Sequence, residues 1–401
     1  MLIDLIASDE VLELAYQWMC EKRAHHYFNA DVWQVRRWWD EKKLLLQQQL
    51  RSGSYLFRGL RLFWGEEQLV ESWSSLDALV LKEIAIVLTE HLKPHLSERC
   101  FHLAGSGGMK AAVREVKDNL GLLQFVFRTD VKGYYASIYH HILMEIVKRY
   151  VKDEYVLALL WGYLRRYVSD GGKFIDITQG ISLGCPLSPL MGALFLKPLD
   201  DRVAELGCFY VRIMDDWVVL APTRWKLRRA IKAVNEVMND LLVVQHPDKT
   251  FIGRIGRGFD FLSYWFSPTG LGVAHKTVER MLDKVSRLYE QGADNNLVEE
   301  YVRRWWLWVI SGVDGVLRAC DRFVRGLVGA LHFINAPYKI GDRTARKLAA
   351  DSAGFPESTF PIEPIGTPEQ ILDEDWFPTE IFRYYSCICV EERETHRIVV
   401  S

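Results

Sequence analysis

Two hydrophobic periods alternate along this chain, and the points where one gives way to the other outline its elements. Residues 1 to about 95 read as helices with connecting loops; in 32–50, for example, Trp and Leu recur at helical spacing among Arg, Lys and Gln. The run His102-Leu103-Ala104-Gly105-Ser106-Gly107-Gly108-Met109-Lys110 interrupts that pattern, and a helix is predicted over 111–117. Phe125-Val126-Phe127-Arg128-Thr129 then reads as a buried strand that ends on Asp130. An amphipathic helix follows, with Ile142, Leu143, Ile146, Val147 and Tyr150 on one face, and 151–168 continues helical up to a turn at Ser169-Asp170-Gly171-Gly172. The stretch from Gln179-Gly180 through Pro186 and Ser188-Pro189 predicts a stiff loop ahead of a helix over 191–206. Residues 209–220, Phe-Tyr-Val-Arg-Ile-Met-Asp-Asp-Trp-Val-Val-Leu, predict a tight hairpin with Asp215 and Asp216 at its tip. Behind it Thr223 is a good N-cap for a helix whose Leu227, Ile231, Val234, Met238 and Leu241 face a core. His246-Pro247-Asp248-Lys249 breaks that helix, 259–266 reads as a second aromatic hairpin, 276 to about 331 as three helices, and 336–401 as an irregular, proline-rich appendage.

Asp is a common turn residue, so the hairpin tip alone decides nothing. The third carboxylate, Asp130, at the end of a similar strand changes the picture. Carboxylates at the ends of neighbouring strands can hold hard divalent cations, which take oxygen ligands and keep positions open for substrate phosphates. Two such ions would clamp the attacking and leaving oxygens of a phosphoryl transfer. The glycine-rich run 102–110 can bring backbone close to phosphates, with Lys110 or Arg114 reaching their oxygens, or it can be a flexible hairpin tip; it has neither a Walker nor a dinucleotide pattern. Arg224, Lys226, Arg228, Arg229 and Lys232 form either a solvated helix face or a contact for a nucleic-acid backbone.

Composition adds three constraints. The net charge of −2 hides a division: 348–401 holds 3 Arg against 11 Asp and Glu, a balance of −8 that leaves +6 on 1–347. A nucleic-acid enzyme with an acidic appendage fits that division, and so does an ordinary domain with a solvated tail. Fourteen Trp permit base stacking without requiring it. Seven scattered Cys, with no CxxC and no His at zinc spacing, suggest reduced thiols and no structural metal. The N-terminus lacks the basic flank of a signal peptide and the apolar run 155–164 is too short for a bilayer, so a cytoplasmic protein with no membrane partner is expected.

In order, Asp130 with Tyr135, Gln179-Gly180 with Pro186 and Ser188-Pro189, Asp215-Asp216, Lys249, and Phe261-Leu262-Ser263-Tyr264 resemble the motifs of reverse transcriptases. The resemblance covers roughly 85–335. It implies an α+β right-hand polymerase: a helical N-terminal extension (1–84), fingers and palm with an antiparallel sheet (85–270), a helical thumb (271–335) and an irregular acidic tail (336–401). It implies that Asp130, Asp215 and Asp216, with the carbonyl of Val131, bind two Mg²⁺ ions, or Mn²⁺. It further implies that Lys249 protonates pyrophosphate, that Tyr135 gates against a 2′-hydroxyl, and that Gln179 and Gly180 line the nucleotide and template pocket; Lys110 and Arg114 are counted with these nucleotide-binding residues on the reading of the glycine-rich run. Phe261, Leu262, Ser263 and Tyr264 would form the primer grip. The partners implied are an RNA template, dNTPs and a cDNA product.

Within that superfamily the chain resembles bacterial group II-intron-like and retron-like enzymes. Arg128-Thr129-Asp130-Val131-Lys132, Trp225-Lys226-Leu227-Arg228-Arg229 and His246-Pro247-Asp248-Lys249-Thr250 look most like the defence-associated "unknown group" reverse transcriptases, which implies copying of a neighbouring noncoding RNA and protection against phage. Two departures stand out: Ile213-Met214 replaces the usual Tyr-x before the paired aspartates, and Ser263 replaces a common Gly in the grip. Neither Val-Thr-Gly nor Asn-Ala-x-x-His is present, which tells against a retron enzyme. An idle RNA-binding scaffold, an RNA polymerase on the same palm, and an intron- or retron-type enzyme without a defence role remain as alternatives.

Overall fold

The computed structural model describes residues 1–64, 69–170, 173–268 and 270–313. The third helix expected after 276 and the appendage 336–401 lie outside the described residues.

Local capping chemistry sets the helix starts. Ser8 Oγ accepts from the Val11 N–H at 3.3 Å and opens helix Asp9–Lys22, while Ser74 Oγ accepts from the Asp77 N–H at 3.1 Å and opens helix Ser75–Leu92. Helix Ser75–Leu92 is apolar on nearly every side (Leu79, Val80, Leu81, Ile84, Leu88), and helices Leu2–Ile6, Asp9–Lys22 and Asp31–Arg37 pack around it. The single helix expected over 32–50 is two, Asp31–Arg37 and Trp39–Arg51. The break at Trp38 lets Trp39 turn inward and stack on Tyr16 at 4.2 Å between ring centres, leaving Trp38 exposed. The helix expected over 191–206 is likewise divided, into Ser188–Phe195 and Lys197–Ala204. Pro198 lies in the first turn of the second piece; it has no N–H, and its ring would clash with the carbonyl one turn back in a continuous helix.

In chain order the strands are β1 (Leu60–Trp64), β2 (Leu69–Ser72), β3 (Phe125–Thr129), β4 (Tyr167–Asp170), β5 (Lys173–Asp176), β6 (Phe209–Ile213), β7 (Asp216–Ala221), β8 (Phe251–Arg254), β9 (Phe259–Phe261), β10 (Tyr264–Ser267) and β11 (Gly270–Val273). They form sheets β2-β1-β4-β5, β6-β7-β3-β8 and β11-β10-β9, antiparallel except where β1 meets β4. The class is α+β, as expected. Two expectations for the N-terminal region need correction. It is not wholly helical, since β1 and β2 form a hairpin there, and a boundary at 84/85 would cut helix Ser75–Leu92 in mid-course. Leu60 of β1 stands opposite Val168 of β4, a partner too distant in sequence for any local pattern to announce.

The sheet β6-β7-β3-β8 holds the carboxylates. Helix Arg224–Asp240 packs on β7 and β3 through Leu227, Ala230, Val234 and Met238, and helix Gly108–Asn119 packs near β6. With both faces covered, β3, β6 and β7 are nearly continuous apolar runs rather than alternating ones.

Candidate active site

Strand register brings the three aspartates together. In the β6–β7 hairpin Ile213 pairs with Asp216, so Met214 and Asp215 form a two-residue loop. Met214 has φ 54°. A positive φ at only the first loop residue is the mark of a type II′ hairpin turn, in which glycine is usual. On the other side of β7, Thr129 of β3 pairs with Trp217, and continuing that register by one residue sets Asp130 opposite Asp216.

The cluster is buried and electrostatically crowded. Burial, with the Asp130 charge added, pushes the Asp215 carboxyl up to about 7. Burial also pushes Asp216 up to about 8; Arg128 opposes the shift, whereas Asp130 and Asp215 increase it. Asp130 Oδ1 and Asp216 Oδ1 are enclosed without a hydrogen-bond partner. Buried carboxylate oxygens of this kind are costly unless a cation or donor reaches them. All-oxygen donors beside a surplus of negative charge suit Mg²⁺ or Mn²⁺. Among the described residues no three such groups already stand at ligand distance, and Lys249 holds Asp130 Oδ2. Taking up an ion on both Asp130 oxygens therefore requires that lysine to let go.

Lys249 arrives by tertiary pairing. Residues 244–246 run antiparallel to 130–132, with the Lys132 N–H donating to Val244 O at 2.8 Å and the His246 N–H to Asp130 O at 2.9 Å. The chain then closes a short turn, Pro247–Lys249, and sets the half-exposed ammonium on Asp130. Val131 sits opposite Gln245 between those two bonds, so its own carbonyl points away from this pairing.

The expected pocket residues Tyr135, Gln179 and Gly180 meet in one place. Gln179 pairs with Tyr139 and its Nε2 donates to Ser137 O at 3.0 Å. The Gly180 N–H donates to Ile138 O, and the Ile181 N–H to Tyr135 O, both at 2.8 Å. Gly180 has φ +88°, and a Cβ there would meet Ala136 Cα and Tyr135 O at 3.1 Å. Tyr135 is buried with its hydroxyl 3.8 Å from Met214 Sδ, one residue from Asp215.

Phe261 and Tyr264 pair across the β9–β10 hairpin, with Leu262 (φ 47°) and Ser263 (φ 70°) as its loop. Positive φ at both positions is the type I′ form, which explains why glycine suits the position of Ser263. Ser263 O accepts from the Ala274 N–H at 3.0 Å, and the Tyr264 hydroxyl donates to Val309 O at 2.6 Å, so the loop is tied to both following helices, His275–Glu290 and Asn295–Ile310. Lys110 and Arg114, expected to reach nucleotide phosphates, lie against the end of helix Asn295–Ile310. Lys110 Nζ donates to the Tyr264 hydroxyl and Trp308 O and lies 4.5 Å from the Trp308 ring centre, and Arg114 donates to Gly312 O. The carbonyls at the end of helix Asn295–Ile310 carry partial negative charge and attract these cations.

Three residues behind the Asp-Asp turn escape the sequence reading: His102, Asp200 and Arg212. Arg212 and Asp200 form a fully buried ion pair at 2.5 Å, and His102 is bonded to the Met214 backbone. The one signal is a charged residue, Arg212, inside an otherwise apolar strand. Among the described residues no helix is long and apolar enough to cross a membrane.

Comparison with known proteins agrees with this arrangement. Residues 74–266 match the family model described as reverse transcriptase (RNA-dependent DNA polymerase). The group II intron-encoded protein LtrA of Lactococcus lactis subsp. cremoris is 21% identical over 208 residues, which is 50% of this chain and 34% of LtrA. Protein YkfC of Escherichia coli K12 is 28% identical over 82 residues, 20% of this chain and 22% of that protein. The chain thus spans about a third or less of the length of these curated relatives. Among solved structures, telomerase from Candida albicans in complex with a fragment of telomeric RNA is similar, with a TM-score of 0.45 and 10% identity over 61% of this chain and 51% of that one. The match over residues 74–266 and the relatives encoded by group II introns support a bacterial reverse transcriptase of the group II-intron-like type.

Proposed function

We propose that this chain is an RNA-directed DNA polymerase that extends a primer by metal-assisted nucleotidyl transfer. The observation that carries the reading is the enclosed trio Asp130, Asp215 and Asp216, two of whose oxygens have no partner and whose negative charge Lys249 and the nearby Arg128 offset only in part. Mg²⁺ or Mn²⁺ held by these carboxylates and the Val131 carbonyl would activate the primer hydroxyl and offset charge on the triphosphate. The chain's own residues supply the rest. Tyr135 bounds the sugar site and excludes a 2′-hydroxyl. Gln179 and Gly180 shape the pocket wall, and Phe261 to Tyr264 hold the primer strand. Lys249, released from Asp130, donates a proton to the departing pyrophosphate, while Lys110 and Arg114 reach phosphate oxygens once they leave the carbonyls they now hold. We assign sheet β6-β7-β3-β8 to the palm, sheet β2-β1-β4-β5 to the fingers and the helices after β11 to the thumb.

The template we propose is a cognate noncoding RNA, copied into cDNA in a phage-defence role in the cytoplasm. Resemblance of the strings around Asp130, Trp225 and Lys249 supports that role. Contact with RNA is supported by Trp225, Arg228, Arg229 and Lys232, which recur at helical spacing on one exposed stripe of helix Arg224–Asp240, with Arg229 4.7 Å from the Trp225 ring centre.

One variant tests both levels. Asp215→Ala with Asp216→Ala should abolish extension of a DNA primer on heteropolymeric RNA while RNA binding persists, because the metals stabilise the transition state more than the bound template. Cells carrying the gene with its flanking DNA should plate phage less efficiently, and the variant should lose that effect. Appreciable incorporation by the variant refutes the site, and equal plating refutes the defence role alone.

A further inference from the structure

The Asp-Asp turn is built on a backbone conformation its sequence does not favour. Met214 holds φ 54°, a region that L side chains adopt rarely and at a cost relative to the right-handed regions. Glycine, the usual remedy, is absent. Instead both peptide groups flanking the Met214 Cα are held by side chains, one from distant His102 and one from Arg212 two residues back. The Met214 N–H donates to His102 Nδ1 at 2.9 Å, and Arg212 Nη1 donates to Met214 O at 2.7 Å.

Each clamp is itself fixed. Arg212 Nε and Nη2 grip Asp200 at 2.8 and 2.5 Å, Nη2 also reaches Ala193 O at 3.2 Å, and the Tyr210 hydroxyl donates to Asp200 at 2.9 Å. His102 is buried, with Nε2 lying 3.2 Å from Pro189 O. A carbonyl can only accept, so Nε2 carries the proton and Nδ1 is left as the bare acceptor that the Met214 N–H requires. Cys100 Sγ lies 3.3 Å from the same Nδ1. Burial, with the nearby Arg212 charge, pushes His102 down to about 3, which keeps the ring neutral in the working range.

We propose that His102 is a positioning residue for catalysis: by accepting the Met214 N–H through Nδ1, it holds a non-glycine turn in the strained form that aims Asp215 and Asp216 at the reacting phosphate. The inference rests on the polymerase reading above. Without the clamp, Met214 relaxes toward negative φ, rotating the two peptides that lead into Asp215. A misplacement of about 1 Å in such a group lowers kcat by about 10²-fold. Substrate affinity depends less on it, so KM for the nucleotide should barely move.

The test compares two substitutions that remove the same ring. His102→Asn keeps an acceptor where Nδ1 stood, and His102→Gln keeps only the polar group where Nε2 stood. Primer extension on poly(rA)·oligo(dT), Mn²⁺ affinity by electron paramagnetic resonance and thermal unfolding are measured for each. His102→Asn should retain most of the rate and of the Mn²⁺ affinity. His102→Gln should lose kcat by about 10²-fold and bind Mn²⁺ more weakly. Adding Met214→Gly to His102→Gln should restore much of both, because glycine adopts this φ without help. Equal losses in Asn and Gln that follow their unfolding temperatures, or a His102→Gln enzyme like wild type, overturn the proposal. If His102→Gln does not fold, recovery of folded protein on adding Met214→Gly upholds it and no recovery overturns it. An inactive wild type would instead refute the polymerase reading, while the order of Mn²⁺ affinities would still judge the clamp.

Discussion

Replacing Tyr135 with valine separates a gate from a core aromatic. The ring is 7% exposed, its hydroxyl lies 3.8 Å from Met214 Sδ, and its edge would lie 3.3 Å from a Cβ on Gly192. It therefore fills a close-packed space directly behind the Asp-Asp turn. Truncation leaves part of that space empty and should cost about 2–3 kcal/mol of stability, below the 3–5 typical of Phe→Ala because valine keeps a branched stump. Against a total of roughly 5–15 kcal/mol for a folded domain, the protein should remain folded at 25 °C. Selectivity moves on a separate scale. If the ring bounds the sugar, its loss admits a 2′-hydroxyl, and a discrimination of about 10² corresponds to only about 2.7 kcal/mol. The assay is kcat/KM for dATP and rATP on one primed RNA template, wild type against Tyr135→Val. The ribonucleotide to deoxynucleotide ratio should rise by about that factor while deoxynucleotide turnover falls modestly. If Tyr135 only packs, both substrates lose rate together, and an unchanged ratio refutes the gate.

Two further outcomes follow from the site. Asp215 and Asp216 are raised from 3.8 to about 7 and about 8 in the folded protein, so the native state binds more protons than the unfolded chain between those values. In EDTA the unfolding temperature should therefore fall as pH rises from about 4 to about 8, and the slope should flatten in the double variant Asp215→Asn with Asp216→Asn or at saturating Mg²⁺; a slope unaffected by both contradicts the buried-anion account. Gly180→Ala should cost about 1–2 kcal/mol for its backbone conformation, plus the push of a Cβ on Tyr135 O and Ala136, and should raise KM for dNTPs; wild-type stability and KM would show that the 179–181 segment has slack.

Sequence alone specified the pieces whose causes are local. The apolar run up to Asp130, the Asp-Asp pair between two β-rich runs and the cap Thr223 are set by neighbours a few residues apart, so they are legible without a fold. Thr223 does accept from the Lys226 N–H, at 3.2 Å. The helix over 32–50 was legible as helix but not as two, because only the fit of Trp39 against Tyr16 breaks it. Other features depend on which distant segments the topology brings together. Lys249 on Asp130, Lys110 on Trp308 O and His102 on the Met214 N–H are each contacts between residues far apart in sequence. Residue type shows that a lysine can pair or a histidine can accept, but the partner is chosen by strand register and helix packing. The carboxylates were therefore readable from sequence, whereas the groups that hold, balance and aim them were decided by the tertiary structure, because a carboxylate's chemistry belongs to its own side chain and its orientation belongs to whatever packs behind its turn.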